Sequence, residues 1–198
     1  MPPTPTRSPS IPLTLNPEVF LALLELMYET GLRRSDAIVF EPDLIRPTTL
    51  GGFEYTTEMR KTGDSVTVYP PAWLVEKLRA LPRLDAQGRY PFYDGKGNEQ
   101  SYLTAYLNKP LRELGTSLCI FGLRPHRFRD SFAVNCLNAR VTMDELQRYL
   151  GHKSRATTER YYNAFVDSRK EALERTMMAA RLGLLVPALP EAAPVSVQ

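Results

Sequence analysis

The sequence predicts an α+β fold, mainly α, in which a small antiparallel sheet packs on a helical core. Three observations carry this. Apolar residues recur at helical spacing over most of the chain, two β-branched and aromatic segments flank one tight turn, and proline-rich ends bracket everything else. At 198 residues there is room for one good-sized domain. The first 16 residues hold five of the 17 prolines and have no periodicity, so residues 1–15 read as a disordered lead-in. An ordered domain is expected over 16–186 and a disordered tail over 187–198.

Within the domain, Asn16-Pro17 is a helix start, a capping side chain followed by proline at the first helical position. Val19, Phe20, Leu23, Leu24 and Met27 follow at helical spacing, and Gly31 closes that helix. After a short polar turn, Gly52–Thr57 and Ser65–Tyr69 read as the strands of a hairpin, with Lys61-Thr62-Gly63-Asp64 between them. Pro71 opens a helix carrying Trp73, Leu74, Leu78 and Leu81, and Tyr90–Tyr93 reads as a short strand. A helix from about Ser101 is disturbed at Pro110. Pro125 starts another, whose apolar side holds Phe128, Phe132, Ala133 and Cys136. Thr142 and Glu145 form a capping box for a helix that Gly151 ends. A short helix bearing Tyr161 and a last helix capped by Asp167 and running to Leu182 complete the order.

Composition removes several function classes. Hydrophobic residues make up 43% and charged residues 24%, within the globular range. There is no apolar run of spanning length and no secretory signal, so a protein with no membrane association, in the reducing cytoplasm, is expected. Cys119 and Cys136 form no CxxC pair, and with only His126 and His152 beside them no ordinary metal motif can be assembled. No metal and no other cofactor is expected. The net charge is only +3, but Leu123 to Tyr162 holds eight Lys/Arg against four acids, a local +4 that favours polyanions.

Four segments stand out: GLRRSDA (31–37), RKTGD (60–64), PHRFRDSFA (125–133) and YLGHKSRATTERYY (149–162). Each alone is weak; an arginine after a helix end is usually a salt bridge or cap, and a KTG lysine is usually a solvated turn residue. In this order they resemble the catalytic domain of the tyrosine recombinases, the phage integrase family. That family shows an arginine in a G-L-R-x-S-E/D segment, a hairpin lysine, an H-x-x-R pair, an L-G-H turn and a tyrosine nine residues past its histidine. The matching positions are Arg33 with Ser35 and Asp36, Lys61, His126 with Arg129, His152, and Tyr161.

The resemblance implies an enzyme that cuts and rejoins double-stranded DNA through a 3′-phosphotyrosyl link, without metal or ATP. Attack on a phosphodiester builds negative charge on phosphate oxygens, and two arginine forks, Arg33 and Arg129, suit its stabilisation. Tyr161 is then the nucleophile, with Tyr162 its rival by adjacency. His126 is the candidate base or phosphate donor, His152 a second donor, and Lys61 the acid that protonates the leaving 5′-oxygen, with Arg60 as its competitor. Asp36, three residues past Arg33, is expected to orient that guanidinium. Homo-oligomers, tetramers on paired DNA sites, are implied, with the last helix reaching a neighbour. A type I-B topoisomerase and a non-catalytic DNA-binding regulator on the same fold are the alternatives. Most relatives carry a further N-terminal helical domain that completes a clamp around DNA. With only a proline-rich lead-in here, weak and salt-sensitive DNA binding is expected.

Overall fold

The computed structural model describes residues 16–181, with only the backbone for 160–168, 171–172 and 180. The expected lead-in and tail lie outside the described residues. Helix α1, Pro17–Thr30, starts on Asn16, whose side chain accepts the N–H groups of Glu18 and Val19. It ends on Gly31 at φ 65°, a left-handed turn that favours glycine. A Cβ there would also collide with the ring of Phe132, so backbone and packing both demand glycine. A four-residue helix α2, Arg34–Ala37, and a 3₁₀ turn, Pro42–Leu44, lead into strand β1, Arg46–Pro47.

The predicted hairpin forms from β2, Phe53–Glu58, and β3, Ser65–Val68, paired antiparallel with Tyr55 opposite Val68 and Thr57 opposite Val66. The short β1 adds a third strand on the far side of β2, which the sequence reading did not anticipate. Alternation buries Tyr55, Val66 and Val68 against the helical core, where Tyr55 meets Phe40. Helix α3, Ala72–Ala80, follows Pro71 as expected and buries Leu74, Val75 and Leu78 in the same core.

Tyr90–Tyr93 is not a strand. The Asp85 carboxylate accepts the backbone N–H groups of Arg89 and Tyr90, and Pro91 has no N–H, so the start of the segment has no donor left for a ladder. The segment is an ordered irregular loop that buries Phe92 and Tyr93. Beyond it, α4, Glu99–Leu103, a π-helical turn, Thr104–Asn108, and α5, Lys109–Ser117, run on without a break. The disturbance expected at Pro110 is absorbed by that wider turn, which precedes the proline and lets the helix resume around it.

Helix α6, Pro125–Asn138, packs on α1, and with α7, Met143–Leu150, it encloses a second, smaller core of Ala133, Leu137, Leu146 and Leu150. The Thr142–Glu145 capping box is present. Helix α8 is continuous from Arg155 to Arg181 and packs on α6 and α7. The expected break at Asp167 is therefore corrected. No Gly or Pro lies between those ends, and four good helix formers, Arg169 to Ala172, follow the Asp-Ser pair. No helix among the described residues is long and apolar enough to cross a membrane.

Candidate active site

Arg33, the N-cap of α2, follows the left-handed turn at Gly31 and Leu32. Its guanidinium donates to the carbonyl of Gly151, the cap of α7, and to the sulfur of Met59 at the base of the hairpin turn. Arg129 enters from the second turn of α6 and is only 2% exposed. It donates to the carbonyls of Gly31 and Leu150, and sits 3.2 Å from Nε2 of His152. Both arginines are thus held at helix C-termini, where the exposed carbonyls carry partial negative charge. Met59, buried beside Arg33, also fills the space at Gly151, where a Cβ would lie 3.1 Å from its methyl carbon.

The two arginines border a cleft of about 820 Å³ that Lys61 and His126 also line. Four of the six predicted site residues, distant in sequence, therefore meet in one concavity. Arg34, Lys109, Arg112 and Arg124 join them, making seven lysines and arginines on its wall; among the described residues no acid lines it. Asn108, at the end of the π-helical turn, accepts from Arg34 and closes one side.

Lys61 and Arg60 are separated by their surroundings. Arg60 pairs with Glu99 at 2.6 Å and does not line the cleft, whereas Lys61 does. Asp36 departs from expectation. Its Oδ1 accepts the backbone N–H of Arg60 at 3.0 Å, and no hydrogen bond joins it to Arg33. At i+3 on a single helical turn the carboxylate is carried towards the hairpin, while Arg33 turns to Gly151. Burial pushes the Asp36 carboxyl above its ordinary value; the Arg60 amide and the charges of Arg33 and Arg129 pull the other way without cancelling the rise.

His126 stands in the first turn of α6, its Nε2 3.4 Å from Oδ1 of Asp130. Partial burial lowers its pKa from 6.5, with the nearby arginines adding to the effect against Asp130. The Asp130 carboxylate thus faces the Nε2 side of the ring. His152 is placed differently: it lies against Arg129 and not on the cleft wall. Since a guanidinium only donates, Nε2 accepts there, and the proton sits on Nδ1, 3.1 Å from Oγ1 of Thr158. Thr158, fully buried one turn into α8, was not singled out in the sequence. A buried hydroxyl among exposed neighbours is a signal only a structure supplies. Tyr161 and Tyr162 lie on α8 just beyond Thr158; their side chains lie outside the described residues.

The profile of the phage integrase family matches residues 14–167. The chain belongs to the phage integrase family. Tyrosine recombinase XerD of Mycobacterium tuberculosis is 31% identical over 169 residues, covering 81% of this chain and 51% of that protein. Among solved structures, the XerH site-specific recombinase bound to palindromic difH substrate aligns with a TM-score of 0.58 at 20% identity, over 74% of this chain and 43% of that one. The catalytic domain of bacteriophage HP1 integrase aligns with a TM-score of 0.52 at 19% identity, over 80% of this chain and 82% of that domain. These likenesses establish the fold of an integrase-family catalytic domain. The chain spans about half the length of the curated relatives it matches. Its integrase segment takes in every wall of the cleft and ends six residues past Tyr161.

Proposed function

We propose that this integrase-family chain is a site-specific recombinase that cuts and rejoins double-stranded DNA by two transesterifications. The observation that carries this reading is the cleft: two arginines fixed at helix ends, a lysine and a histidine, with seven Lys/Arg and no acid among the described lining residues. A phosphodiester seated there meets the arginine forks with its non-bridging oxygens. The Tyr161 oxygen bonds to phosphorus as the bond to O5′ breaks. Nδ1 of His126 takes the phenolic proton, and the Lys61 ammonium gives one to O5′. The phosphotyrosyl ester keeps the energy of the broken bond, so a 5′-hydroxyl can reverse the step without ATP, and the arginines supply the charge stabilisation a metal would otherwise give.

The test is a suicide duplex whose cleaved end diffuses away, with EDTA present throughout. Wild-type protein and Tyr162→Phe should form a covalent complex, and Tyr161→Phe should bind DNA without attaching. The reverse result between the two tyrosines would sink the assignment, as would cleavage that needs magnesium.

Assembly follows from the same reading. On paired sites four copies are expected to form a ring, with the end of α8 and the residues after it reaching a neighbour. Deleting residues 167–198, which cuts α8 mid-length, should spare the covalent complex on a short duplex and impair exchange between paired sites. Equal exchange by the truncated protein would remove the assembly role.

A further inference from the structure

Arg60 is fixed at both ends. Its backbone N–H is held by the buried carboxylate of Asp36, and its guanidinium by Oε2 of Glu99 at 2.6 Å. Glu99 is no loop residue: it opens α4 directly after Asn98, whose side chain caps the helix by accepting from Ser101. On the other side of Lys61, the turn is closed by the Met59 carbonyl, which accepts the N–H groups of Thr62 and Gly63. Lys61 thus sits between a two-point anchor and a bonded turn. Among the described residues nothing pairs with its own ammonium. A lysine has four rotatable side-chain bonds, so where its main chain is held decides where its charge can reach.

Resting on the reading of Lys61 as proton donor, we infer that Glu99 is a positioning residue for cleavage, acting through Arg60 to hold Lys61 at the leaving oxygen. Arg60 is half exposed and Glu99 about a fifth, so this pair adds little to stability. Its consequence is placement, and catalysis is sensitive to ångström errors in placement.

The experiment measures single-turnover cleavage on two duplexes, one with the normal 5′-bridging oxygen and one with sulfur in its place. A thiolate leaves without being protonated, because thiols are far more acidic than alcohols. Glu99→Gln and Arg60→Ala should each slow the oxygen duplex by about tenfold, leave the sulfur duplex unslowed, and keep the wild-type melting temperature. The charge-exchanged double variant, Arg60→Glu with Glu99→Arg, should recover most of the oxygen rate. Equal slowing on both duplexes, or no slowing on either, overturns the role of Glu99. Lys61→Ala is run alongside. If sulfur fails to rescue it, the proton-donor reading of Lys61 falls and this inference with it; if sulfur rescues Lys61→Ala and Glu99→Gln cleaves both duplexes normally, only the inference falls.

Discussion

A guanidinium at 2% exposure is an unusual choice for a residue meant to meet a substrate, yet Arg129 borders the cleft while bonding two main-chain carbonyls and a histidine. It closes the protein and equips the site at once. Asp36 is the counterpart with a cost. One oxygen holds the Arg60 amide and the other is buried without a hydrogen-bond partner. Burial raises its folded-state pKa, so the stability this group contributes is fully present below the unfolded value and is lost as pH rises through the raised one. Asp36→Asn keeps the acceptor for Arg60 and removes the charge. Urea unfolding between pH 4 and pH 8 should show the variant at least as stable as wild type at neutral pH, with the difference closing towards pH 4. A variant clearly less stable at pH 7 would show that Asp36 is needed there as an anion. At this scale the sequence was partly legible: Arg33, Lys61, His126 and Arg129 meet at one cleft, His152 stands behind Arg129, and the Tyr161 side chain lies outside the described residues. Met59, Glu99 and Thr158 were invisible, because their meaning lies in partners distant along the chain or in a burial that local patterns do not encode.

Among the elements, those whose signals are local were readable. The Asn16 cap, the hairpin around Lys61-Thr62-Gly63-Asp64 and the Thr142–Glu145 box all depend on residues a few positions apart, and all three are present. The misreadings share a cause, in which a local preference met a stronger constraint. Tyr90–Tyr93 has strand-forming residues, but a buried carboxylate claims the Tyr90 amide and Pro91 has none to give. Asp167 has the chemistry of a cap, but no helix breaker stands beside it and α8 runs through. The π-helical turn shows the converse, since Pro110 signalled a disturbance and only the structure gave its form and its place beside the cleft.

For the whole molecule, charge was read in the right sign and in part the wrong place. Leu123–Tyr162 carries the local +4, yet among the described residues only Arg124 and Arg129 of its cations line the cleft. Helical spacing turns Arg127 on α6 and Arg148 on α7 away from it, and Arg155 pairs with Asp144 and Glu159. The remaining five come from α2 and its cap, the hairpin, and α5. A duplex in this cleft should therefore bind through phosphates with little regard to sequence at positions such as Arg112, which is exposed on α5. Arg112→Gln is expected to weaken binding to matched and scrambled duplexes alike, and to reduce the slope of log K against log salt by about 1. Fluorescence anisotropy across a salt series measures both. Loss confined to one sequence would mark Arg112 as a base reader.

Two of the bonds that hold the arginines span very long stretches of chain. Gly31 and Arg129 are 98 residues apart, and Arg33 and Gly151 are 118 apart. Neither guanidinium has its anchor until the ends of α1 and α7 have come together, which cannot happen before nearly the whole domain has left the ribosome. On the proposed function, a half-made or misfolded copy would hold scattered cations able to attract a polyanion but no constellation able to break it. For the proposed recombinase that is a safeguard, since a defective copy would have no assembled site with which to cut.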